Sequence, residues 1–202
     1  MEQPDNRAFL GVGGVGKTTL ALHQARHFAR VLIHDVNGEA KLSAGATVIS
    51  DPHQLLDTLA AGGPVRVCWR GAAAKPERQR IEMFEWANDV AWTLGNMLVI
   101  WDELDRYNVG GQLPDTADVI VNSGRHHDLR MFFTSRRPAA VPRAATALAT
   151  RRMIFQTTEP VDVDYYRKII GAELAERVPT LPAYHCFEVR AGSIELKCAP
   201  FD

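Results

Sequence analysis

Residues 11–18 read Gly-Val-Gly-Gly-Val-Gly-Lys-Thr, directly after the apolar Ala8-Phe9-Leu10 and directly before a helical stretch that begins at Lys17. Gly11, Gly16, Lys17 and Thr18 satisfy the pattern GxxxxGK[ST] in the context that pattern requires, a strand before it and a helix after it. Few features constrain a fold more. The chain must leave a strand, turn through glycines and restart as a helix, which is the first half of a βαβ unit. The chemistry follows from the same geometry. Glycines let successive backbone N–H groups turn inward as an anion nest, and the helix N-terminus adds its partial positive charge. The loop Gly11, Val12, Gly13, Gly14, Val15, Gly16, Lys17, Thr18 and Thr19 therefore reads as a cradle for the phosphates of ATP. Lys17 would act as a point charge on the β- and γ-phosphates, and the Thr18 hydroxyl would complete the shell of a Mg2+ ion.

Such a site needs an acid for the metal, and Met97-Leu98-Val99-Ile100-Trp101-Asp102-Glu103 supplies one. An apolar strand ends there in two carboxylates. Asp102 would hold Mg2+ through water, and Glu103 would polarise the attacking water as general base.

Short apolar runs at about residues 8–10, 31–34, 47–49, 65–69, 97–101, 131–134 and 153–156 read as strands. Several are continuously apolar, as strands buried on both faces should be. Helical patterns lie between them, at 17–28, at 77–94 with Ile81, Phe84, Ala87, Val90, Ala91 and Leu94 in an amphipathic stripe, and at 162–170 after Glu159-Pro160. Phe84, Trp86, Trp92 and Trp101 read as core. HCFEVRAGSIELKC alternates across Ala191-Gly192 and reads as a hairpin. The expected architecture is α/β, a RecA-like P-loop fold with a twisted, mostly parallel sheet flanked by helices and a small C-terminal β-hairpin. The expected organisation is one ATPase domain over residues 1–202, with 183–202 as the hairpin extension.

Composition narrows the class. No apolar run approaches the roughly 18 residues of a membrane span, and the acidic, polar N-terminus lacks the basic and apolar regions of a signal peptide. Three cysteines without a CxxC pair fit a reducing compartment and no zinc site. The expected location is the cytoplasm. Overall charge is −1, but the segment from Arg125 to Arg152 holds seven arginines against one acid, Asp128. That asymmetry points to a polyanion as readily as to a solvated face. His126 and His127 are adjacent and so diverge on any helix, which gives no metal geometry.

Several families share this glycine loop. Partition ATPases of the ParA/MinD type place a lysine where this chain has Val12 and lack the paired Asp-Glu. GVGGVGKTTLA with FFTSRRP resembles the STAND/NB-ARC signalling ATPases, whose further segments exceed 202 residues. The order of motifs along nearly the whole chain resembles the HerA/FtsK superfamily of DNA-pumping ATPases. VLIHDVNGEA resembles its strand ending in Asp, then Gly-Glu, here Asp35, Gly38 and Glu39. Gly95-Asn96 stands before the Asp102 strand, and GRHHDLRMFFTSRRP is similar to the family's small-Arg-His run, strand and TQRP, with Asp128 in place of a glycine. EPVDVDYY resembles the Asp-Pro-Xaa-Asp stretch beyond it.

This resemblance implies a packaging ATPase of a tailless or membrane-containing virus. It would drive double-stranded DNA, without sequence readout, into a preformed capsid, in the host cytoplasm or at the virion. It further implies a homo-oligomeric ring (a pentamer or hexamer) with a capsid vertex protein as a further partner, and no soluble small-molecule substrate beyond ATP. Arg125 matches the family's arginine finger, which acts on the neighbouring subunit's ATP. The family's sensor Gln falls on Arg136, and a guanidinium there is the alternative finger. Arg137 and Arg143 read as solvated or DNA-facing. Lys75, Arg78, Arg80, Arg143, Arg151 and Arg152 are candidates for phosphate contact with DNA. Two other readings stay open: a STAND/NB-ARC-like signalling switch, and a morphogenesis ATPase like the Zot family of filamentous phages.

Overall fold

A computed structural model describes residues 5–199. Its centre is a nine-stranded sheet, built from β1 (Arg7–Leu10), β2 (Arg30–His34), β3 (Thr47–Ile49), β4 (Val65–Trp69), β5 (Met97–Trp101), β6 (Leu129–Ser135), β7 (Arg151–Phe155), β8 (His185–Arg190) and β9 (Ser193–Cys198) in the order β3-β4-β2-β5-β6-β1-β7-β8-β9. The seven strands from β3 to β7 pair in parallel. β8 and β9 continue the sheet antiparallel from β7.

Alternation along each strand divides the core. In β5, Met97, Val99 and Trp101 face one layer and Leu98 and Ile100 the other, because successive Cβ atoms of a strand point to opposite faces. Helix α1 (Lys17–Ala25) covers the second face with Leu20, Ala21 and Ala25, and the short α2 (Ala40–Ser43) adds Leu42. The first face is covered by α3 (Pro52–Ala60), α4 (Glu77–Leu94), α5 (Asp115–Ser123), α6 (Arg143–Leu148), α7 (Pro160–Ile170) and α8 (Ala172–Arg177). Within this layer Phe84 of α4 stacks on Tyr107 with ring centroids 3.9 Å apart and meets Trp101 at 5.9 Å. All three are fully buried, and burying such a side chain stabilises by about 1.5–3 kcal/mol.

The expected fold class stands: a mostly parallel sheet flanked by helices and closed by an antiparallel hairpin. Phe84 and Trp101 lie in the core, with Trp86 and Trp92 partly buried against it. The structure departs from expectation at element ends and in short helices. The first helix stops at Ala25 rather than residue 28, and β6 runs from Leu129 to Ser135 rather than 131–134. Helix α5 buries Ala117, Ile120 and Val121 at helical spacing but is too short for a long stripe. Helices α3, α6 and α8 carry only one or two buried positions, too few to show a helical period; α3 buries only Leu55 and Leu59. Its start was written in a different signal. Asp51 accepts a hydrogen bond from the Gln54 N–H, and Pro52 opens the helix, the preferred residue types at those places.

No helix among the described residues is long and apolar enough to cross a membrane.

Candidate nucleotide site at the C-terminal edge of the sheet

The glycine loop leaves β1 in the middle of the sheet, between the ends of β6 and β7. The Gly11 N–H donates to the Ser135 carbonyl at 3.1 Å and the Val12 N–H to that of Gln156 at 2.9 Å. Gly11 has φ 147°, and a Cβ there would stand 2.7 Å from the Gln156 oxygen, so a side chain cannot be fitted without moving backbone. Gly16, at φ 105°, precedes α1 directly. Gly13, Gly14, Gly16, Lys17, Thr18 and Thr19 line the cleft. Gly11, Val12 and Val15 shape the loop from behind, with Val15 buried against the α1 face.

Lys17 and Thr18, though charged and polar, are buried. Lys17 Nζ donates to the Val12 carbonyl at 2.6 Å. Burial, and secondarily the nearby Arg136 guanidinium, bring the Lys17 ammonium down to about 8. Anionic phosphate in the loop would reverse that shift.

Opposite Lys17 stands the end of β5. Asp102 is buried, and burial raises its carboxyl to about 6 against the hydrogen bond from Thr134. Its Oδ1 accepts from Thr18 Oγ1 at 3.3 Å and from Thr134 Oγ1 at 2.9 Å. The Thr134 hydroxyl in turn accepts from the Glu103 N–H at 2.9 Å, so one side chain from β6 fixes both acids. Glu103 has a left-handed backbone, φ 52° and ψ 56°, an uncommon state for a non-glycine residue that recurs at functional sites. Its carboxylate is ion-paired with Arg136, which also lies 3.6 Å from Glu39. Carboxylate oxygens of Glu39, Asp102 and Glu103 lie within 4.8 Å of one another. A cluster of hard oxygen donors around a carboxylate whose protonation is favoured by burial suits Mg2+, held by few protein groups and completed by phosphate oxygens and water.

Glu39 reaches this corner because the loop after β2 is tied down. Asp35 is buried; its Oδ1 accepts from the N–H groups of Gly38 at 2.8 Å and Glu39 at 3.0 Å. Its Oδ2 accepts from Arg70 Nε at 2.8 Å, and Arg70 also donates to the Glu39 carbonyl at 3.1 Å. The motif around Asp35, Gly38 and Glu39 thus acts as a folded loop that presents one carboxylate.

Among the expected site residues, the structure brings together Lys17, Thr18, Asp102, Glu103 and Arg136. Arg125 is elsewhere. It is exposed in the turn before β6, at the end of the sheet opposite the glycine loop, and its Nε contacts the ring of His126 at 3.4 Å. The candidate DNA-binding cations divide. Arg151 is paired with Asp5 and Glu188, Arg152 is bonded to the Thr146 carbonyl, and Arg78 is paired with Glu82 on its own helix. Arg80 is half-buried. Lys75 and Arg143 are exposed with no carboxylate partner among the described residues. Thr134, Arg70 and Tyr184 were not singled out in the sequence. Thr134 had a usable signal, a hydroxyl closing an apolar strand at the edge where open α/β sheets bind ligands.

The fold is that of a P-loop domain, with the cleft at the glycine loop. No protein-family model matches the sequence, and no curated protein aligns with it. Solved structures share the fold. The genome packaging NTPase B204 from Sulfolobus turreted icosahedral virus 2, in complex with ATP-gammaS, superposes with a TM-score of 0.76 at 20% identity over 100% of both chains. VirB4 of Thermoanaerobacter pseudethanolicus gives 0.69 at 12% identity, over 98% of this chain and 90% of that one. EssC (ATPases 2 and 3) from Geobacillus thermodenitrificans gives 0.56 at 14%, over 96% and 39%. The likeness to these structures is a likeness of fold.

Proposed function

We propose that this chain is an ATP hydrolase that moves double-stranded DNA, packaging a viral genome into a preformed capsid. The observation that carries the reading is the convergence of Lys17, Thr18, Asp102 and Glu103 on one cleft, in a fold that matches a viral genome packaging NTPase from end to end. The chain acts as one ATPase domain, with 183–202 as its hairpin extension, in the host cytoplasm or at the virion. Its partners are double-stranded DNA, further copies of itself in a ring, and a capsid vertex protein.

In this mechanism the loop N–H groups and Lys17 hold the β- and γ-phosphates. Thr18 and Asp102 would hold Mg2+, which would supply neutralisation of phosphate charge. Glu103 accepts the proton of the attacking water, whose oxygen takes the γ-phosphoryl group as the bond to the β-phosphate oxygen breaks and ADP leaves as an anion. Arg136 starts paired with Glu103 and Glu39, so its charge is already engaged within the subunit. Arg125, exposed and without a carboxylate partner among the described residues, is suited to a neighbour's γ-phosphate, as the resemblance to the family's arginine finger implies.

Steady-state ATP turnover measured against protein concentration, with and without long double-stranded DNA, at low and high salt, tests the reading. A cooperative rise with concentration, stimulation by DNA and loss of stimulation in salt are expected, because phosphate contacts release counterions. Slow turnover indifferent to both DNA and concentration would overturn it in favour of a nucleotide switch. Glu103→Gln should retain ATP binding and lose about 10²–10⁴ in turnover, as for removal of a general base.

A further inference from the structure

The phosphate end of the cleft is accounted for; the nucleobase end is not. The glycine loop, Lys17 and the acids Asp102 and Glu103 recognise only phosphate and metal. The strand order sets the polarity of what remains. β1, which carries the loop, lies in the middle; β5, which carries Asp102 and Glu103, lies two strands to one side, and β8 lies two strands to the other. A nucleotide with its γ-phosphate at the acids directs its base toward β8.

Tyr184, the residue before β8, stands there and is the one aromatic side chain among the described residues lining the cleft. Its position is imposed from both sides: its N–H donates to the Val15 carbonyl at 2.9 Å, and its own carbonyl accepts from the Ala199 N–H at 3.1 Å. The ring lies against the loop, so close that a Cβ on Gly16 would stand 2.7 Å from Cδ1. The backbone is left-handed, φ 62°, a conformation a bulky residue adopts rarely and keeps where the surroundings over-determine it. Tyr184 is nonetheless 45% exposed. No other ring and no cation stacks on it among the described residues. A large aromatic held in a disfavoured conformation with an open face, beside the phosphate loop and away from the acids, is arranged to receive a flat ligand.

We propose that Tyr184 is the stacking platform for the base of the bound nucleotide. This rests on the nucleotide-site reading above and extends it to the ligand's other end. Every base offers a π-face, so stacking favours a nucleoside triphosphate over bare triphosphate without itself selecting among the bases.

Calorimetric titration of wild type, Tyr184→Phe and Tyr184→Ala with ATPγS and with inorganic tripolyphosphate, both with Mg2+, tests this. Wild type should bind ATPγS about tenfold or more tighter than tripolyphosphate, the order expected for one stacked base. Tyr184→Phe should keep that ratio. Tyr184→Ala should bring it close to one while tripolyphosphate affinity stays at the wild-type value, which also shows that the loop is intact. The proposal is overturned if Tyr184→Ala preserves the ratio, if it weakens both ligands equally, or if Tyr184→Phe behaves like Tyr184→Ala. Wild type that binds neither ligand would instead sink the nucleotide-site reading itself.

Discussion

The two ends of the sheet handle charge in opposite ways. At the C-terminal edge the charged groups are gathered and engaged: Lys17 on a loop carbonyl, Asp102 on two threonine hydroxyls, Glu103 on Arg136, Asp35 on Arg70. At the N-terminal edge Arg125 projects into solvent with no carboxylate partner among the described residues. The contrast teaches that the cleft holds cations that are already committed, while Arg125, like Lys75 and Arg143, stays exposed without a carboxylate partner among the described residues, and lies where its own cleft cannot use it. A cation for the γ-phosphate would then come from another copy of the chain.

The largest effect tests that division of labour. Arg125→Ala should lower turnover by about 10³–10⁵, the range for a finger supplied in trans, and should leave ATPγS binding to isolated subunits unchanged. Mixing it with Glu103→Gln subunits should restore part of the activity, since one kind of interface then unites an intact Glu103 with an intact Arg125. Arg136→Ala should not be rescued in such mixtures, because it acts in the same subunit as Glu103. Rescue of Arg136→Ala but not of Arg125→Ala would reverse the assignment.

A smaller effect sharpens the engaged edge. Thr134→Val removes the hydroxyl that holds both Asp102 and the Glu103 N–H. Loss of a group that orients metal ligands costs about 10–100-fold. Turnover titrated with Mg2+ should show that loss as half-saturation at about 10–100-fold higher Mg2+, while metal-free ATPγS binding is unchanged. An unaltered Mg2+ curve would mean that Asp102 is positioned by the strand alone.

The smallest effect separates the charged edge from the core beneath it. His34, at the end of β2, is fully buried against Phe84, and burial holds its imidazole down near 3. Its folded-state value lies below its ordinary 6.5, so the unfolded chain takes up a proton first as pH falls. The stability associated with neutral His34 is intact above about 6.5 and declines below it, by about 1.4 kcal/mol per pH unit. Between pH 7.5 and 5, urea unfolding should show wild type losing roughly 2 kcal/mol more than His34→Leu. Equal losses in the two proteins would place the acid sensitivity in other groups.

How much of this was legible in the sequence depended on whether the information was local. GVGGVGKT sits between its strand and its helix within a dozen residues, and Gly11, Gly14 and Gly16 take positive φ values, so the loop was readable outright. Asp102 and Glu103 were readable because an apolar run ending in acids is also a local pattern. Helices α3 and α6 were missed because two or three buried residues do not establish a period. The partners of the acids were missed because Thr134, Arg70 and Tyr184 acquire their roles across strands that are distant in sequence.

The sequence by itself determined the phosphate loop, the acidic strand end, the alternation of strands and helices and the closing hairpin. Each of these follows from hydrophobic periodicity, turn chemistry and backbone sterics acting over a few residues. The tertiary structure alone decided the rest. Parallel pairing of β5 with β6 set Thr134 beside Asp102, the loop tied by Asp35 carried Glu39 to the metal corner, and β8 brought Tyr184 onto Gly16. It also placed Arg125 and Arg136, only eleven positions apart, at opposite ends of one strand. β6 rises about 3.3 Å per residue, so its length alone separates a cation that serves its own cleft from one that faces outward.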